Sequence, residues 1–137
     1  MIVDTSAIVA VLVGEPSSPA IVDVLTRSAA DHTTGISAAT LVELTAVLTR
    51  FGDPGTHRRA DALLSEWQIE TVPLDGEQAR TAQLAYRDYG RGSGHPAQLN
   101  LGDCYSYALA AVRRQALLYV GDDFAHTDIL PALPGGA

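Results

Sequence analysis

The acidic residues Asp4, Glu43, Asp103, the adjacent pair Asp122 and Asp123, and Asp128 occupy separated segments of this 137-residue chain. Carboxylates are hard oxygen ligands, suited to Mg²⁺ or Mn²⁺ with water completing the shell. They do not suit zinc, since the His and Cys spacings of a zinc site are absent. Acids this far apart form a metal site only if the fold gathers them.

Each acid also has a plain structural reading. Asp4 follows the apolar triplet Met1-Ile2-Val3 and could cap the next helix, although Thr5 and Ser6 could cap it equally well. Glu43 lies inside the run Leu41, Val42, Leu44, Ala46, Val47, Leu48. At 100° per residue those side chains cover most of a helix, so this helix is expected to be largely buried. A carboxylate inside it needs an arginine, a proton or a metal. Asp103 falls three residues after Asn100, in a helical first turn where unsatisfied N–H groups favour acids. Asp122 and Asp123 repel one another in a dry site, so one is expected to face a cleft and the other a turn. Asp128 reads as a turn residue.

Those acids need elements to position them. The pattern predicts short strands at 1–3, 32–36, 69–74 and 117–120, and a tail strand around Ile129-Leu130. Between them it predicts helices over 7–12, 18–30, a stretch capped by Ser37 through Thr49, one ending near Trp67, one opened by the Asp75/Gln78 capping-box spacing, and one from Asn100 to about Gln115. Gly90-Arg-Gly-Ser-Gly-His-Pro-Ala-Gln98 reads as a loop, and Pro134–Ala137 is expected to fray. Strands alternating with helices argue for an α/β fold with a short parallel sheet flanked by helices. Ligands bind beyond the carboxyl ends of such strands, which is where Asp4 and the Asp122/Asp123 pair fall.

Composition narrows the chemistry further. The formal net charge is −7, and all nine basic residues are arginine. Without lysine there is no Walker-type phosphate loop, no Schiff base and no lysine general base. Nor is there the lysine a receiver domain would want. A haloacid-dehalogenase-type enzyme would want a second Asp where Ser6 stands. One cysteine excludes an internal disulfide, and Cys104 is expected to pack rather than react. His32, His57, His95 and His126 show no triad spacing. The length indicates one domain over 1–137. Apolar runs are too short for a membrane span, and Asp4 interrupts the N-terminal apolar stretch, so no secretory signal is expected and the cytoplasm is the expected compartment.

The motifs taken together resemble a known family. Met-Ile-Val-Asp4-Thr-Ser6-Ala opens the chain, and Ala-Thr-Leu-Val-Glu43-Leu follows. Then come the glycine-rich loop and Leu-Asn100-Leu-Gly-Asp103-Cys-Tyr-Ser-Tyr-Ala-Leu-Ala, and finally Gly121-Asp-Asp123-Phe124. In order and spacing the chain resembles a PIN-domain ribonuclease toxin of the VapC family. That resemblance implies a PIN-like α/β domain whose acids hold Mg²⁺, or Mn²⁺, and hydrolyse RNA phosphodiester bonds to leave 5′-phosphate and 3′-hydroxyl ends. It implies Asp4, Glu43 and Asp103 as ligands, Asp123 as the fourth, Asp122 as a residue that could share its role, and Ser6 as the hydroxyl that orients a carboxylate or water. It implies a cognate VapB-type antitoxin placing a basic side chain in the acidic cleft, and a homodimer through the early helices that forms a heterotetramer or larger with the antitoxin. A catalytically inactive PIN-like module acting as a protein-binding partner is the competing reading. Arg91 and His95 are candidate RNA-phosphate contacts or a solvated loop. Arg113-Arg114 read as complements to a helix dipole, and Trp67, Tyr105 and Tyr107 as packing.

Overall fold

The computed structural model describes residues 1–137. Its elements are β1 (Ile2–Val3), α1 (Thr5–Val13), α2 (Ser18–Ala29), β2 (Gly35–Ser37), α3 (Ala38–Thr49), α4 (Pro54–Glu66), β3 (Glu70–Val72), α5 (Gly76–Tyr89), α6 (Leu101–Arg113) and β4 (Leu117–Leu118), followed by a 3₁₀ turn at Asp123–His126. The four strands pair in parallel in the order β3-β2-β1-β4, with Ile2 opposite both Gly35 and Leu117.

Strand side chains alternate between faces, and the core divides accordingly. Ile2 and Leu117 pack on one face with Leu99, Leu109 and Phe124, beneath α5 and α6. Val3 and Leu118 pack on the other with Ile8, Ile21, Leu44, Leu48 and Trp67, beneath α1 to α4. Both faces are therefore covered, as a parallel sheet requires. The chain moves from β1 outward to β2 and β3, then returns to place β4 on the other side of β1. The switch in direction lies between β1 and β4, and a crevice opens there beyond the strand ends.

Polar caps set several helix starts. Asp4, Ser37, Asp53 and Asp75 each accept from a backbone N–H in the first turn of the helix they precede. At α6 the box is reciprocal: Asp103 N donates to Asn100 Oδ1 at 2.9 Å, and Asn100 N donates to Asp103 Oδ2 at 2.8 Å. The expected Asp75/Gln78 box is only half made, because Gln78 turns its amide to the carbonyl of Pro73. α1 starts at Thr5 rather than Ala7, with Asp4 as its cap, and stops at Gly14, which takes a left-handed φ of 72°.

Three further expectations need correction. α3 is not buried all round: it buries Thr40, Leu44 and Leu48 but leaves Val42 71% exposed. Its apolar residues outnumber the core positions available to them. The tail around Ile129-Leu130 makes a single bridge, Leu117 to Pro131, instead of a strand. The last residues are tied down: Ala137 N donates to Tyr119 O at 3.1 Å, and Gly121 N donates to Ala137 O at 3.3 Å. No single helix is long and apolar enough to cross a membrane.

Candidate functional site

A cleft of about 250 Å³ lies beyond the ends of β1 and β4, lined by Asp4, Glu43, Asp103 and Asp123 with Thr5, Ser6, Asn100 and Phe124 among its walls. The carboxylates come from four places: the end of β1, the middle of α3, the first turn of α6 and the turn after β4.

Asp4 is 3% exposed and its carboxylate is held at both oxygens. Oδ2 accepts from Ser6 N at 2.9 Å and from Ser6 Oγ at 2.6 Å. Oδ1 accepts from Ser106 Oγ at 2.6 Å. Ser6 Oγ in turn accepts from Val120 N at 3.0 Å, which ties the start of α1 to the end of β4. The single proton of Ser106 is committed to Asp4, so the 3.2 Å contact between Ser106 and Thr40 has Thr40 as donor. These hydroxyls fix the carboxylate's rotation and satisfy its charge, which burial would otherwise make costly.

Glu43 is half-buried, and Thr5 Oγ1 donates to its Oε2 at 3.2 Å. Burial, reinforced by the charge of Asp4, raises its pKa above the usual carboxylate value. Asp103 is 8% exposed, and burial pushes its pKa up to about 7. The Asn100 N–H opposes that rise, while the charges of Asp4, Asp123 and Glu43 add to it. Asp123 opens the 3₁₀ turn beside Phe124, whose buried ring packs 5.0 Å from that of Tyr119.

No arginine pairs with Glu43. The four ion pairs of the chain join Arg27 to Asp23, Arg59 to Asp53, Arg87 to Asp88 and Arg113 to Glu70. No arginine and no histidine lines the cleft. Four like charges without a counter-charge form a donor set that fits a hard divalent cation. No three acidic, His or Cys side chains stand close enough to enclose an ion by themselves.

The other sequence candidates fall elsewhere. Asp122 is exposed and outside the cleft lining, close enough to Tyr119 for its charge to add to the burial that raises that phenol's pKa. Asp128 accepts from Tyr107 Oη at 2.6 Å, away from the cleft. His95 Nδ1 accepts from Ala97 N at 3.2 Å, and its ring meets Tyr89 edge-on. Cys104 is buried, and burial with the charge of Asp103 pushes its thiol up to about 12, so it packs rather than reacts. Trp67 is core, as expected. Sequence reasoning overlooked Ser106, Thr40 and Thr5. The available signal for Ser106 was its position three residues after Asp103, which places it on the same helix face.

Comparison with known proteins agrees with this geometry. The family model described as PIN domain matches residues 1–130. Ribonuclease VapC42 of Mycobacterium tuberculosis is 53% identical over 132 residues, spanning 96% of this chain and 98% of its own. Ribonuclease VapC28 of the same organism is 47% identical over 133 residues, spanning 97% and 98%. Among solved structures, M. tuberculosis VapC20, described as a sarcin-ricin loop cleaving toxin, superposes with a TM-score of 0.68 at 16% identity over 97% of this chain and 98% of that one. A toxin-antitoxin complex from Klebsiella pneumoniae gives 0.59 at 16% identity over 99% and 94%. At that identity the two structures speak to the fold alone.

Proposed function

Because this chain belongs to the PIN-domain family, with close relatives that are VapC ribonucleases, we propose that it is the toxin of a type II toxin-antitoxin pair and a metal-dependent endoribonuclease, built as one PIN domain over 1–137. The observation that carries the reading is the cleft itself: four carboxylates from four elements meet with no basic side chain among them. In this reading Asp4, Glu43, Asp103 and Asp123 hold Mg²⁺, with Mn²⁺ as a substitute, and Asp122 stays outside. A divalent cation held there supplies Lewis-acid polarisation of a phosphoryl oxygen and makes a nucleophile of water at neutral pH.

The residues of the chain do the positioning. Ser6 and Ser106 hold Asp4 at one rotation, so the carboxylate needs no reorganisation when substrate arrives. The Asn100 N–H orients Asp103 and leaves its second oxygen, Oδ1, free of protein donors. Water attacks phosphorus as the P–O3′ bond breaks, and the leaving 3′ oxygen takes up a proton. No histidine lines the cleft, so protons move through carboxylates or solvent. The test is the chemistry of the cut ends: purified protein with RNA and Mg²⁺ should give 5′-phosphate and 3′-hydroxyl termini. Cyclic 2′,3′-phosphate ends would mean attack by the ribose 2′-hydroxyl and would overturn the mechanism.

The partners follow from the same charge. An acidic cleft attracts a basic side chain, which supports a VapB-type antitoxin that inhibits by inserting one, in a complex with a toxin homodimer. RNA contacts fall to placed arginines, and Arg91 in the glycine loop leading to Asn100 is exposed and has no ion-pair partner. The cytoplasm, where RNA and antitoxin meet, is the proposed compartment.

A further inference from the structure

Gly102 is the second residue of α6, between exposed Leu101 and the site acid Asp103. Its backbone is ordinary helix, so no left-handed φ calls for glycine. Glycine inside a helix costs stability relative to alanine. The space around its Cα shows what a side chain there would meet. A Cβ built there would fall inside the carboxylate of Glu43, well within van der Waals contact of Cδ and both Oε atoms. At Gly76, the first residue of α5, the nearest atom to such a Cβ is a guanidinium nitrogen 3.8 Å away. At Gly90 the obstruction is the backbone of Tyr86, a packing matter. At Gly55, the second residue of α4, such a Cβ would stand 3.1 Å from the capping carboxylate of Asp53, whereas at Gly102 it would overlap a carboxylate of the cleft outright.

We propose that Gly102 is a positioning residue: the bare backbone at the start of α6 is the seat of the Glu43 carboxylate, and it brings the acid of α3 against the helix that carries Asp103. This rests on the reading of Glu43 as a cation ligand. An alanine at 102 would not break the helix. It would push a flexible side chain off its seat, away from the 3.2 Å bond with Thr5 and from the neighbouring Asp4 and Asp103. The expected signature separates positioning from packing: the protein without metal keeps or gains stability while cation binding weakens.

The experiment is Mn²⁺ titration, read by the spin-resonance signal of free Mn²⁺, with thermal melts in chelator. It uses Gly102→Ala, Glu43→Ala and the double variant. Gly102→Ala should weaken Mn²⁺ binding about 10- to 100-fold, as removal of a ligand-orienting partner does. Its melting temperature should not fall. In the Glu43→Ala background the added methyl has no carboxylate to displace, so it should weaken binding no further. An equal loss in both backgrounds, or unchanged affinity in Gly102→Ala while Glu43→Ala is impaired, would overturn the role of Gly102 and leave Glu43 standing. Unchanged affinity in Glu43→Ala would overturn the ligand reading itself, and Gly102 with it. Should Gly102→Ala fail to fold, recovery of the fold in the double variant supports the conflict with Glu43, and persistent failure overturns it.

Discussion

At the scale of single residues, the site is a problem of holding like charges together. Asp4 is the best-held of the four, and the hydroxyl of Ser106 is the only donor to its Oδ1. Ser106→Ala should lower cation affinity or RNA cleavage about 10- to 100-fold, the usual effect of removing an orienting partner; Mn²⁺ titration and initial cleavage rates would measure it. Asp103 makes a pH prediction. Its folded pKa, about 7, lies above the ordinary value near 3.8, so between those values the folded protein binds more protons than the unfolded chain. The contribution is therefore full below about 4 and is lost as pH rises to about 7. Melts in chelator should show this loss, and Asp103→Asn should flatten it. Of these residues, the four acids and Ser6 were legible in the sequence because their types and motif settings stand out. Ser106 was not, since a serine in an alanine-rich helix reads as filler until the fold brings Asp4 beside it. Asp123 is favoured over Asp122 already by its place before Phe124 in the motif, and of the two only Asp123 lines the cleft.

Secondary-structure elements deliver those residues, and their caps do double duty. The Asn100/Asp103 box that starts α6 also points Asp103 into the cleft. Asn100→Ala should cost about 1 kcal/mol, the usual loss for a cap, because Asp103 N loses its acceptor, while cleavage should fall less, because the backbone N–H that orients the Asp103 carboxylate is retained. Denaturant unfolding and cleavage rates on one preparation would check both effects. Six helices and four strands were readable from periodicity, caps and glycine stops. What misled was α3, where apolar residues around the circumference implied full burial. Only one side of that helix meets α1, α6 and the sheet, so Val42 faces outward. The tail was misread for a related reason: weak local signals near Ile129 and Pro134 gave no hint that Tyr119 and Gly121 would pair with Ala137.

For the whole molecule, the strand order decides where function sits. Because β4 returns to the far side of β1, the acids that end or follow these two strands meet at the switch point, and α3 and α6 bring the other two from opposite faces. The net charge of −7 at first argues against a nucleic-acid partner. Once four acids are assigned to a cation, the remaining acidity is mild, and RNA binding falls to a few arginines instead of a basic face. Arg91→Ala should raise the apparent KM for RNA and flatten its salt dependence while leaving kcat nearly unchanged, since an arginine that only holds phosphate acts on binding rather than on chemistry. That these carboxylates cut RNA through a bound divalent cation is open to one direct measurement. It is the RNA cleavage rate of the purified protein with Mg²⁺, with chelator, and for Asp4→Asn with Mg²⁺. Cleavage with Mg²⁺ should disappear in chelator and should slow by about 100-fold or more in Asp4→Asn. Cleavage that survives both the chelator and Asp4→Asn would contradict a carboxylate-held metal as the agent of the cut.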